Sequence, residues 1–194
     1  VQPNIQRVIG TNRISVELPG IKEPERVKKL LASSAMLEFW AVCEPMDAAN
    51  IREVLSYAIP ADLLRYENCI AGYHVGVADK SDIELVTELL ADPKVKSQLP
   101  YGVKLGWENK SVDGKSYGDF RLVALKGTAP LMDGSGITDA TAQSNDQNGG
   151  MAVSLSMNGA AAEQWATVTR NNVGKPIAIV MDGVVYSAPN VNEP

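Results

Sequence analysis

The sequence predicts an α+β fold in two parts, a ferredoxin-like base built from two β-α-β units and a smaller α+β head inserted into it. Three observations predict this. A strand-helix-strand pattern stands near the N-terminus, and the same order returns near the C-terminus. Between them lies a stretch with its own helices and alternating strands, entered at Glu44-Pro45 and left through the Pro/Gly-rich KGTAPLMDGSG at 126–136. Such an exit is what the linker of an inserted domain looks like. The chain therefore divides into 1–44 (base, first part), 45–127 (head) and 128–194 (base, second part).

Taken in order, RISVELPG (13–20) alternates Ile14, Val16 and Leu18 against Arg13, Ser15 and Glu17, the pattern of a half-buried strand. With NIQRV before it, a hairpin turning at Gly10-Thr11-Asn12 is expected. KEPERVKKLLASSA (22–35) follows as a helix, with Pro24 suited to its first turn and Val27, Leu30 and Leu31 on one stripe. MLEFWAV (36–42) returns as a strand. In the head, EPMDAANIREVLSY begins a helix after Asp47 with Ile51, Leu55 and Ala58 on one face, and AGYHVGVA (71–78) reads as a strand. SDIELVTELL opens with Ser81 and Glu84 at capping-box spacing, and GVKLGWEN (102–109) and YGDFRLVALK (117–126) form a hairpin.

The second base segment has strands at 138–144 and at MAVSLSM (151–157), then a helix capped by Asn158 with Ala161, Trp165 and Val168 inward and Gly174 as its stop. PIAIVM (176–181) and VVYS form a hairpin around Asp182-Gly183, where both turn residues need positive φ. The predicted base is one sheet of residues 13–18, 36–42, 138–144, 151–157 and 177–186, with the two helices on one face. The last residues, SAPNVNEP, read as an extended polar tail, so the chain reads as a segment of something larger.

Composition narrows the function. Of 194 residues, 45% are hydrophobic and 21% charged, ordinary values for a globular chain that buries a core. A net charge of -5 argues against a nucleic-acid surface, and no apolar run reaches the roughly 20 residues of a membrane span. Cys43 and Cys69 have no metal-ligand spacing and read as two small, buried or half-buried side chains, with a disulfide in an oxidising compartment as the lesser alternative. His74 is the single histidine and sits in an apolar strand, which reads as a packed or exposed surface residue rather than a catalyst. DGSGITDA (133–140) lacks the strand and helix that a phosphate loop needs, and SNDQNGG (144–150) lacks the distal Glu of a calcium loop. Trp40, Trp107 and Trp165 read as core. No catalytic, cofactor-binding or metal-binding residue is nominated, no cofactor is implied, and an enzyme is not expected. An acylphosphatase-like enzyme would need an Arg and an Asn at a phosphate loop, and no such pair presents itself. The positions singled out are hinge candidates where the chain enters and leaves the head: Glu44, Pro45, Gly127, Thr128, Ala129 and Pro130.

Two stretches resemble a known family. NRISVELPGIKEPERVKKLL is similar to the opening of the first periplasmic domain of SecD, a subunit of the protein-export membrane machinery, alone or as the SecD half of a fused SecDF. SLSMNGAAAEQWATVTRNNVGKPIAIVMDGVVYSAPNVNEP is similar to its close, including the N-x-x-A-A-x-x-W-A-x-x-T helix, the G-K-x-I-A-I-V-x-D-G turn and the S-A-P-x-V-N-E tail. Together they make up about a third of the chain. The resemblance implies an accessory role in proton-gradient-driven protein export. It implies SecF, the SecYEG channel and unfolded preprotein as partners, with no nucleic acid and no small-molecule substrate. It also implies a multi-pass parent in the bacterial inner membrane with this segment on the periplasmic side, and a head that swings against its base. The family's proton-carrying residues lie in transmembrane segments, so none is carried over. The alternative is a periplasmic or surface binding module with a similar base and no role in export.

Overall fold

A computed structural model describes residues 4–8, 13–17, 37–66, 69, 72–111, 119–145 and 150–193. The described chain is mixed α+β, and it divides into two compact units. Unit 1 comprises Val1–Trp40, Pro130–Gly183 and Ser187–Pro194; unit 2 comprises Ala41–Ala129 and Val184–Tyr186.

Unit 1 contains a five-stranded sheet in the order β12-β1-β2-β9-β8, formed by Asn190–Val191, Asn4–Val8, Arg13–Glu17, Gly150–Met157 and Ile137–Asn145. The first hairpin forms as expected, with Asn4 opposite Glu17 and Val8 opposite Arg13, and β2 then lies antiparallel to β9. The turn at Gly10-Thr11-Asn12 lies outside the described residues, as does the helix expected at 22–35. Unit 1 also holds strands of a second sheet, where β10 (Ile177–Met181) neighbours β3 (Leu37–Val42) and β3 pairs with β7 (Met132–Asp133) through Phe39 opposite Met132.

This corrects the predicted base. Residues 13–17 and 177–181 stand in different sheets, so the base is not one sheet, and neither β-α-β unit closes within a single sheet. The physical reason is pairing. Both edges of β9 are taken, by β2 and by β8, so β10 cannot pair with it and stands beside β3 instead.

The helix between them, α4 (Gly159–Asn171), is built as its sequence dictates. Asn158 accepts a hydrogen bond from the Ala161 amide at 2.9 Å, capping the N-terminus. Ala161, Trp165, Val168 and Thr169 form the buried face, and the Trp165 ring sits 4.7 Å from that of Phe39 at 57°. Gly136 packs where a Cβ would collide with the Ala161 Cβ, so glycine is required for this approach. Asn172 caps the C-terminus, and Gly174 follows two residues on with φ +75°. The tail does not run free: Asn190 and Val191 pair in parallel with β1, the Gly174 amide donates to the Val191 carbonyl at 2.8 Å, and Val191 is fully buried.

Unit 2 keeps chain neighbours together. After α1 (Pro45–Ala58), β4 (His74–Asp79) pairs antiparallel with β6 (Asp119–Lys126), and β5 (Val103–Ser111) pairs with β6 as the predicted hairpin, whose tip lies outside the described residues. β11 (Val184–Ser187) lies parallel to β5, with Val185 opposite Glu108, and the last residues of β3 pair with β6. One core holds Ala48, Ile51 and Leu55 of α1 with Val75, Val86, Leu90, Leu122 and Ala124.

Two local expectations are corrected. α1 starts at Pro45 rather than after Asp47, because the proline ring pre-sets the helical φ at the first position. The Ser81–Glu84 capping box does not form: α2 (Ile83–Ala91) starts after Asp82 with no side-chain cap, and Ser81 Oγ instead lies 3.3 Å from Asp82 Oδ1. The short α3 (Pro93–Gln98) is capped by Asp92, which accepts from the Lys94 amide at 2.8 Å. Of the tryptophans, Trp40 and Trp165 are buried, while Trp107 is half-buried and donates to Thr87 Oγ1 at 2.9 Å.

Candidate functional site

The hinge candidates fall at the ends of unit 2. Glu44 is the residue before α1, and its carbonyl accepts from the Ala48 amide at 2.9 Å. Pro45 opens the helix, and its ring fills the space over Gly72, where a Cβ would come within 2.6 Å of Pro45 Cγ. Helical pairing and close packing make this entry stiff. The exit differs. Gly127 takes φ +121°, a conformation that side chains other than hydrogen strain to adopt, and its amide donates to the Gly102 carbonyl at 2.7 Å. Thr128 and Ala129 follow without regular structure, and Pro130 begins the next segment of unit 1.

The structure brings entry and exit side by side within unit 2. Ala41 and Val42 pair with Lys126 and Leu125, the Cys43 amide donates to the Ala124 carbonyl at 2.9 Å, and Lys126 Nζ lies 3.1 Å from Asp47 Oδ2. That carboxylate holds the ammonium above its ordinary range, yet both side chains are about half exposed, and such a pair stabilises by under about 1 kcal/mol. The chain passes between the units beside Trp40, beside Ala129 and on either side of Val184–Tyr186. The third passage, at the Asp182-Gly183 turn, has both residues at positive φ, 51° and 82°.

Unit 2 also contains a buried polar group that the sequence reading missed. The His74 imidazole, 5% exposed, places Nε2 at 2.8 Å from Glu108 Oε1, and Glu108 Oε2 lies 3.5 Å from Arg121 NH1. Arg52 of α1 donates to the His74 carbonyl at 2.8 Å, and the Tyr73 ring stands edge-on to the imidazole at 4.7 Å. Burial, and then the Glu108 carboxylate, push the Tyr73 hydroxyl up to about 12. Burial also raises the Cys69 thiol, against the opposing charges of Arg52 and Arg121. A signal for this group existed: Arg121 shares strand parity with the buried Val123, so a charge points to an apolar face and needs a partner there. Cys43 and Cys69 are both free, and burial pushes Cys43 to about 11, which makes it a packing residue. Among the described residues no cluster of three or more His, Cys, Asp or Glu is placed to hold a metal ion.

The two ends of the chain each match a family model. Residues 1–44 match "Protein translocase subunit SecDF, P1 domain, N-terminal", and residues 111–194 match "SecDF, P1 head subdomain". The chain belongs to the SecDF P1 family.

Curated relatives of this P1 chain carry the name "Protein translocase subunit SecD". That of Rhodothermus marinus is 32% identical over 99% of this chain and 37% of its own length. That of Endomicrobium trichonymphae is 29% identical over 93% of this chain and 32% of its own. The P1 chain thus spans about a third of the length of these relatives. A solved structure described as "Structure and function of a membrane component SecDF that enhances protein export" shares 27% identity, covering 98% of this chain and 65% of that one, with a TM-score of 0.38. The protein of that solved structure is described as a membrane component; among the described residues of this P1 chain no helix is long and apolar enough to cross a membrane. The head-subdomain match, 111–194, takes in residues of both compact units.

Proposed function

We propose that this P1 domain is the extracytoplasmic part of a Sec translocon accessory subunit, on the periplasmic side of a bacterial inner membrane. There it assists proton-gradient-driven export by contacting translocating preprotein and moving its head against its base. The observation that carries this reading is the paired family match at both ends of the chain, supported by relatives named as SecD translocase subunits. SecF and the SecYEG channel are the partners through the parent protein, and the domain works without a catalytic residue or cofactor.

Residues 45–127 serve as the moving head and the candidate hinge residues as its pivots. Gly127 to Pro130 is the stronger pivot, because φ +121° at Gly127 and the irregular backbone after it absorb rotation at few positions. Glu44-Pro45, held at the start of α1, is the stiffer of the two pivots.

The test is a pair of engineered cysteines bridging head and base in the full-length parent, with Cys43 and Cys69 first replaced. Oxidation is expected to stop export and reduction to restore it. Export unaffected by the oxidised bridge would overturn the moving-head mechanism. Turnover of an acyl phosphate by the purified domain would overturn the non-catalytic role.

A further inference from the structure

We propose that the segment 59–66 is an edge guard of unit 2, clamped by Arg65 over the outer edge of β4. Without that clamp, β4 pairs with the β4 of a second copy of this chain. β4 ends the order β4-β6-β5, so among the described residues no full strand lies on its other side. Its sequence, HVGVAD, carries two valines, an alanine and one carboxylate, and its first five residues are buried. A strand of that composition, left open, is a template for another chain.

Three groups occupy that edge. The His74 carbonyl accepts from Arg52 of α1 at 2.8 Å, and the Asp79 carbonyl accepts from the Asp82 amide at 2.9 Å. Between them Arg65 makes a closed antiparallel pair with Val77. The Arg65 amide donates to the Val77 carbonyl at 2.8 Å, and the Val77 amide donates to the Arg65 carbonyl at 2.7 Å. Arg65 thus takes the place of one residue of an incoming antiparallel strand.

A one-residue pair is weak alone, and two side chains hold it. Leu64 is fully buried over Gly76, where a Cβ would come within 2.6 Å of Leu64 Cδ1, so the glycine provides its seat. Arg65 works at the surface. Its side chain lies on the face of its partner Val77 and reaches Asp79, two residues along β4, and Asp119, opposite Asp79 on β6. The NH2 nitrogen stands 2.6 Å from Asp119 Oδ1 and 3.6 Å from Asp79 Oδ1. Like charges directly opposite one another destabilise a strand pair. Contact with Asp119 is the main cause holding the Asp79 carboxyl above its ordinary range, and the Arg65 charge opposes it. One cation therefore relieves the two carboxylates and fastens the guard to both strands. A second copy fits the edge that this clamp keeps closed. An antiparallel β4 pair centred on Val77 sets Asp79 opposite Val75, which keeps the two Asp79 carboxylates apart, and its two-fold symmetry stops at a dimer.

The experiment compares the 194-residue chain with Arg65→Glu, which sets a third carboxylate beside Asp79 and Asp119, by amide hydrogen exchange and sedimentation. At about 10 μM, protection of the Val77 amide, whose acceptor is the Arg65 carbonyl, should fall about fivefold in the variant. Protection of Val123 in β6 should stay as it is. At about 1 mM, the variant should sediment at about twice its dilute mass and regain Val77 protection, as a second copy takes the vacated edge. The unsubstituted chain should show neither change. If Arg65→Glu loses Val123 protection and so fails to fold, Arg65→Ala carries the comparison. Undiminished Val77 protection in a folded variant overturns the clamp. Absent association, or association that leaves Val77 unprotected, overturns the guard.

Discussion

Units 1 and 2 use chain order in opposite ways. In unit 2, β4, β5 and β6 follow one another in sequence and lie together in one sheet in the order β4-β6-β5, with α1 and α2 packed against them in one core. In unit 1, α4 leaves β9 in the five-stranded sheet and delivers the chain to β10 in another, with its Trp165 against Phe39 of β3. A short-range pattern specifies the first arrangement. The second depends on which strands take the two edges of β9, and that is settled only by long-range pairing.

The comparison is sharpened most by deleting the central side chain of each unit. Trp165→Ala should destabilise unit 1 by about 3–5 kcal/mol and Ile51→Ala should destabilise unit 2 by about 2–5 kcal/mol, since both are buried. Exchange read separately on β9 and on β6 is the measurement. If Trp165→Ala weakened β6 as much as β9, the units would be one cooperative body and the contrast would fail.

Next in size is Gly127→Ala, which should cost about 1–3 kcal/mol because φ +121° strains any side chain. Denaturant titration checks it, and an unchanged midpoint would mean the exit relaxes freely. The two helix starts give a smaller, paired effect. Asn158→Ala, which removes a formed cap in unit 1, should cost about 1 kcal/mol, whereas Ser81→Ala, which removes none in unit 2, should stay within about 0.5 kcal/mol. Equal losses would show that Ser81 caps α2 in solution after all.

The smallest effect is electrostatic. The Ser135 hydroxyl, and then its amide, hold the Asp133 carboxyl below its ordinary value. A depressed carboxyl contributes stability that is present above its unfolded value and lost as pH falls through the folded one. Ser135→Ala should therefore lower stability by a few tenths of a kcal/mol at neutral pH, about as for an exposed ion contact, and by nothing once Asp133 is protonated. Melting curves of both proteins against pH decide it: a difference persisting into strong acid assigns the effect to packing.

These contrasts follow what the sequence can carry. Both hairpins of unit 2 and unit 1, the inward face of α4, the Asn158 cap and the Asp182-Gly183 turn are each encoded within a few residues, and each forms. The sheet partition was less visible, though IAIVM, apolar throughout, already differs from the alternating MAVSLSM. Ser81 has the right spacing for a cap, but the helix begins one residue later with Asp82 before it, a choice made by tertiary context. The polar group at His74 was least legible, because its partner Glu108 lies 34 residues away on a strand that is not its direct neighbour. The pairing of the tail is not legible locally, because its partner strand is at the opposite end of the chain.

The short strand β11, Val184–Ser187, carries one more consequence, for the order in which the molecule can assemble as it is made. Unit 2 has nearly all its residues once Ala129 has been added, yet β5 waits for β11, with Val185 opposite Glu108, until the last stretch of chain emerges. During synthesis β5 is an open edge, with unpaired amides and carbonyls available to any passing strand. Completion of the earlier unit is thus gated by the arrival of the later one, and a nascent chain halted before residue 184 is predicted to be the form most prone to aggregation.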